Sequence, residues 1–258
     1  MYRYKLIQTQ TRSPNARQLQ TVMLAYHDFR QCWQDHPLTD AVEALGVWQA
    51  RRLRHTHRDL YETSRYREAL DFLLEDLYSP RDFTRRDDDV ERIFPYLVRL
   101  LPDSALLTLS QLVELNLLSQ RLDLMMAEWL TSEWGFSARD IEHLSHDVYA
   151  AAYRACGHEQ QRQRQIELVD AVGRDLEKYV SNRSLRAALK MMQRPARMAG
   201  LEELYRFISE GVHAFRAMGG VDELLDTVTV RERWIMNEVL SGKALPASLP
   251  AKLTEQAG

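Results

Sequence analysis

Between Leu106 and Trp129 the chain carries Leu106, Leu107, Leu109, Leu112, Val113, Leu115, Leu117, Leu118, Leu122, Leu124, Met125, Met126 and Trp129. Wound as a helix, this pattern leaves hardly any side polar. A helix with one apolar stripe needs one neighbour, but an apolar cylinder must be surrounded. The stretch therefore predicts a long central helix with others packed around it. Asp103 or Ser104, just after Pro102, is the expected cap, and Glu114 and Asn116 are expected to be interior polar groups with specific partners.

The flanking patterns are helical too. Ser13-Pro14 opens the first, in which Leu19, Val22, Met23, Tyr26, Phe29, Cys32 and Trp33 recur at helical spacing up to Pro37. Thr39 opens a second, with Val42, Leu45, Leu53, Thr56 and Leu60 on one line and Gln49 as a polar interruption that needs a partner. Segments from about Arg65 to Tyr78 and from about Phe83 to Leu101 follow, the latter expected to kink at Pro95. Ser137 to Asp140 reads as a capping box for a helix through Cys156, ended by Gly157. The polar run HEQQRQRQ is expected to be the solvated start of the next helix. Leu185 to Met192, Leu201 to Met218 with Leu204, Ile208 and Phe215 inward, and Val221 to Leu240 complete the series.

No strand-like alternation is sustained, so the expected fold is all-α without a sheet: a single multi-helix bundle of about nine or ten helices around the long apolar one. Residues 1–12 read as an N-terminal lead, 13–240 as the helical domain and 241–258 as a flexible tail. With 45% hydrophobic and 28% charged residues the chain can bury a sizeable core. A net charge of −3 gives no bulk footprint for nucleic acid, and no apolar run has the length of a membrane span or signal peptide. Two cysteines inside apolar patterns are expected to be buried thiols. A cytoplasmic location, no nucleic acid and no membrane partner are the corresponding expectations.

The candidate site lies between Trp48 and Asp87. At roughly 100° per residue, Trp48, Arg52 and Asp59 fall within about 40° of one another on the flank of an apolar face, either as a boundary stripe or as one wall of a groove. Asp76 lies beside the inward line of its helix, near Arg65 and Tyr66, while Glu75 points outward. Across the corner that holds Tyr78 and Asp82, Arg86 falls near the apolar centre, with Asp87 beside it. A buried guanidinium needs a carboxylate, so Arg86 is expected to pair with Asp76, Asp59 or Asp82.

Other chemistries are poorly supplied. Glu210 and His213 have the Glu-x-x-His spacing of bundle-core metal sites, but both lie about 150° from their apolar line, and His143 and His146 also point away from theirs. No metal site and no cofactor is expected. Asp87, Asp88 and Glu91 resemble a magnesium-holding cluster without the second acidic motif such chemistry requires, and the helix dipole already accounts for them. Nucleophile elbows, P-loops and dinucleotide fingerprints are absent. Arg183, Arg186, Lys190, Arg194 and Arg197 form a short basic segment suited to a small anionic docking patch.

The strings WQARRL, TSRYREA, FLLEDLY at Phe72 to Tyr78, SPRDFTRRD and LPDSAL resemble an uncharacterised proteobacterial family named for a Phe-Phe-Leu-Glu-Glu-Leu-Tyr motif. The likeness extends from about Trp48 to Met218, with Leu73 and Asp76 as mild departures. It implies a bacterial, cytoplasmic protein and no particular activity. The residues themselves favour a non-enzymatic protein that binds an unidentified partner or small ligand, with a homo-oligomer possible. The site would be a polar groove or network of Trp48, Arg52, Asp59, Arg65, Tyr66, Asp76, Tyr78, Asp82, Arg86 and Asp87. The alternative is a metal- or haem-associated helical enzyme of ferritin-like or haem-oxygenase-like form.

Overall fold

A 32-residue helix, Asp103–Trp134, runs through the middle of the computed structural model, which describes residues 2–33, 36–77, 84–246, 248–250 and 253. At 1.5 Å per residue it is nearly 50 Å long, and the next longest helix has 23 residues. It is α7 of thirteen helices found among the described residues, and no strand occurs among them. Before it come α1 (Tyr2–Gln8), α2 (Pro14–Trp33), α3 (Thr39–Thr56), α4 (Arg58–Glu62), α5 (Ser64–Leu77) and α6 (Thr84–Leu100). After it come α8 (Ala138–Glu142), α9 (His146–Cys156), α10 (Glu159–Ser181), α11 (Arg183–Met198), α12 (Glu202–Met218) and α13 (Asp222–Leu240).

The length of α7 lets one helix serve two cores. Near its start Leu106 packs with Leu6, Leu19, Met23 and Phe94 from α1, α2 and α6. Near its end Met126, Ala127 and Leu130 pack with Leu45, Trp48, Ile141, Tyr149, Ile235 and Val239. A third cluster joins Tyr66, Ala69 and Leu70 of α5 to Ala214, Phe215 and Met218 of α12 and to Leu224 and Leu225 of α13. The expected all-α bundle with a central apolar helix is what the chain forms.

The helix number exceeds nine or ten for local reasons. Residues 1–12 hold α1, which buries Leu6 completely. The second pattern breaks at His57, which turns its imidazole inward and leaves Asp59 on the separate α4. The predicted helix from Ser137 to Cys156 divides at His143 to Ser145. Ser137 and Asp140 do form a capping box, but only for α8, and Ser145 Oγ accepts from the amide of Val148 to start α9.

Other expectations are corrected. Helix α7 has Pro102 at its N-cap without a side-chain cap; Asp103 instead accepts from Asn15 Nδ2 at 2.8 Å. Cys32 is exposed in the last turn of α2, while Cys156 is half-buried. Ile208 is 42% exposed on the flank of α12. The polar start of α10 is not simply solvated, since Arg162 is buried and Arg164 forks onto Glu114 at 2.8 and 3.0 Å.

Candidate functional site

The break between α8 and α9 frees the carbonyl of Leu144 from helical pairing. Trp48 Nε1 of α3 donates to that oxygen at 2.8 Å, so a buried indole N–H and a buried carbonyl satisfy each other. The indole stacks on Tyr149 with ring centroids 4.2 Å apart and meets His146 edge-on. One turn after Trp48, Arg52 Nη1 donates to both carboxylate oxygens of Glu232 on α13 at 2.6 and 2.7 Å. His57 Nε2 donates to the same carboxylate at 2.9 Å. Burial alone would raise the Glu232 carboxyl, but the Arg52 charge and the His57 hydrogen bond outweigh it and hold it down to about 2.

Behind this pair lies a second polar layer. Gln49, buried on α3, donates to Asp123 of α7 at 2.9 Å. Burial pushes the Asp123 carboxyl up to about 6, against the pull of the Gln49 amide and the Arg162 charge. Arg162 is 5% exposed and lies with its guanidinium carbon 3.8 Å over the Tyr153 ring, a cation–π contact in a desolvated place. Its Nη2 also makes a long contact, at 4.0 Å, to the sulfur of Met126. Burial raises both Tyr149 and Tyr153, so these phenols stay protonated at neutral pH.

On the solvent side of Trp48 and Arg52 the helices α3, α8 and α9 leave a cleft of about 310 Å³. Trp48, Arg51, Arg52, His55, Glu142, His143, Leu144 and His146 line it. Arg51 is held in place by donating to the carbonyl of Glu142. A wider, open groove of about 500 Å³ adjoins it, sharing Arg51 and His55 and adding Arg54, Arg58, Tyr61, Glu62 and Arg67. Both concavities are rich in cations. The cleft lining contains two guanidiniums, three imidazoles and one carboxylate, and no serine, threonine, cysteine or lysine among the described residues. Such a lining presents guanidinium and imidazole groups and, among the described residues, no side-chain hydroxyl, thiol or amine for covalent chemistry.

Of the ten residues predicted from the sequence, the structure brings Trp48 and Arg52 together in the cleft. Asp59 has left their stripe because of the break at His57, and gives both oxygens to Arg231 at 2.8 and 2.6 Å. Arg65 and Tyr66 stand elsewhere. Arg65 Nε donates to Met218 O at 2.6 Å and Nη1 to Glu223, while Tyr66 Oη donates to the same glutamate, so the pair clamps α5 to the turn between α12 and α13. Tyr78 and Asp82, and the side chains of Asp76, Arg86 and Asp87, lie outside the described residues.

Sequence reasoning missed His57, Asp123, Arg162, Arg231 and Glu232. Three of these carried a signal. His57 follows Leu53 by four residues, Arg162 precedes Ile166 by four, and Arg231 sits between Val228 and Ile235 at helical spacing, so each falls on an apolar line. Asp123 carried none, because a helix apolar all round has no phase to read. Glu210 and His213 are both well exposed, as their phase implies, and His213 meets Glu68 at 3.2 Å. Among the described residues no three of His, Cys, Asp and Glu converge so as to hold a metal ion.

Comparison with known proteins adds a family. A family model described as a domain of unknown function (DUF8198) matches residues 28–246. No curated protein and no solved structure matches the chain.

Proposed function

The chain belongs to the DUF8198 family, and from that premise we propose that it is a binding protein rather than an enzyme, taking a small anionic ligand in the cleft between α3 and the α8–α9 bend. One observation carries the reading. Arg51, Arg52, His55, His143 and His146 surround a concavity of metabolite size in which Glu142 is the one carboxylate among the described lining residues. Trp48 and Arg52 are fixed by Leu144 and Glu232, so the floor is organised before a ligand arrives, which lowers the ordering cost of binding. A phosphate or carboxylate group suits this set of guanidinium and imidazole groups better than an uncharged analogue does, because charge-assisted hydrogen bonds are the stronger ones. Residence in a bacterial cytoplasm, implied by the likeness at Phe72 to Tyr78, belongs to the same proposal.

Isothermal titration of the whole chain with inorganic phosphate, a nucleoside monophosphate and a dicarboxylate, each beside a neutral analogue, tests it. At least one anion is expected to bind and its neutral analogue not to. Arg51→Glu and His146→Ala should each weaken that binding by roughly tenfold, the scale of one charge-assisted hydrogen bond. Absence of binding by every anion, or binding unaffected by both substitutions, removes the reading.

A further inference from the structure

The most basic stretch of the chain is α11 with its flanks. From Lys178 to Leu201 there is no Asp or Glu, and six residues are Lys or Arg. At about 100° per residue, Arg183, Lys190, Arg194 and Arg197 fall within about 60° on one side of α11, with Met191 and Met198 together beside them. All six are exposed, the two methionines at 73% and 90%. None of the four cations pairs with a carboxylate among the described residues. The helix is seated by its opposite side, where Ala196 is buried.

A second helix extends this face. Arg92 of α6 donates to the carbonyls of Ala199 and Gly200 at 3.0 and 3.2 Å, which places the later half of α6 beside the end of α11. Tyr96, one turn after Arg92, and Leu100, one turn further, are 63% and 79% exposed. No acidic residue occurs from Arg92 to Leu101, and Arg99 adds another exposed cation.

Exposed apolar side chains, and positive charge that meets no carboxylate among the described residues, together restrict what this face can meet. A second copy of the chain is a poor match, because a two-fold contact sets the same cations against each other. A helical segment of an acidic partner docks in a groove, and the two concavities described above share no lining residue with this face. A flat anionic surface answers both features: headgroups neutralise the cations, while methionine, leucine and tyrosine side chains reach the boundary with the acyl chains. No helix of the described residues is long and apolar enough to cross a bilayer, so contact would be with its surface. We propose that the face formed by α11 and the later half of α6 docks on an anionic lipid bilayer.

Flotation of the full chain with vesicles tests this. Phosphatidylcholine vesicles containing phosphatidylglycerol are expected to carry the protein, pure phosphatidylcholine vesicles to leave it behind, and rising salt to release it. Lys190→Glu with Arg194→Glu should weaken binding by roughly tenfold or more, and Met191→Ser with Met198→Ser should weaken it at unchanged charge. These positions are exposed, so circular dichroism and melting should match the parent. No binding by the folded parent, equal binding to neutral vesicles, or full binding by the charge-reversed variant overturns the proposal. A dimer dissolved by the methionine substitutions, without vesicle binding, assigns the face to a second copy and overturns it equally.

Discussion

Arg231, on α13, is completely buried and grips both carboxylate oxygens of Asp59, while its Nε donates to the carbonyl of Leu253 at 3.0 Å. Each of the three guanidinium nitrogens thus has an acceptor, on α4 or in the chain beyond α13. Asp59 is 39% exposed, so water softens its side of the pair. Asp59→Asn should still cost about 2–3 kcal/mol in urea unfolding, since it strands a buried charge. Arg231→Met combined with Asp59→Asn should recover part of that loss. Strict additivity of the two single changes would show that the pair is not coupled.

Acid and base act oppositely on the two carboxylates of the polar layer. Asp123, normally near 3.8, is pushed up to about 6 by burial, so between these values the native chain holds a proton that the unfolded chain has lost. Stability therefore falls as pH rises through that window, by about 3 kcal/mol. Glu232 is held down to about 2, and its contribution is present above pH 4.5 and lost as pH falls below it. Urea midpoints across pH should thus peak near pH 4, between the ordinary values of the two carboxyls. Asp123→Asn keeps an acceptor for Gln49 and should flatten the curve between about pH 4 and 6 while leaving the acid limb in place. A midpoint that climbs steadily from pH 5 to 7 would contradict the assignment.

The bundle was legible because its main determinant is periodicity, and periodicity survives without tertiary information. The break points were not. His57 and Leu144 interrupt helices for reasons that lie elsewhere in the chain: His57 turns toward Glu232, 175 residues on, and the Leu144 carbonyl meets Trp48, 96 residues earlier. The same limit applies to the site. Trp48 and Arg52 were readable because two residues on one helix share a flank by geometry alone. The placement of His143 and His146 across from them depends on how α8 and α9 bend. Arg231 was readable in principle, since a cation on an apolar line must have a buried partner, but its phase alone does not say that the partner is Asp59.

Close approach of α10 to α13 rests on Gly173. A Cβ at that position would stand 2.8 Å from both methyl carbons of Leu225, which is itself buried. Alanine favours a helix by up to about 1 kcal/mol over glycine, yet forcing these helices apart costs about 1–3 kcal/mol. Gly173→Ala should therefore lower the urea midpoint slightly. Adding Leu225→Val should restore some of it, because the shorter side chain makes room. A stabilised Gly173→Ala variant would mean that Leu225 swings aside freely.

Trp48→Phe isolates the hydrogen bond that pins the α8–α9 bend. The phenyl ring can keep its stack on Tyr149, whereas the Leu144 carbonyl loses its indole donor. Leaving a buried carbonyl unpaired costs about 1–3 kcal/mol, so the variant should be destabilised on that scale. The cost should also be local. Leu144 lies between the capped starts of two short helices, and without Trp48 the chain from Ser137 to Val148 can open with α7 still packed. Amide hydrogen exchange is therefore expected to quicken across residues 138–148 and to remain unchanged along α7 and α2. Because His143 and His146 stand on this segment, anion binding in the cleft should weaken in parallel. If exchange quickens uniformly throughout the bundle instead, the tryptophan acts as core filling and the bend is held by something else.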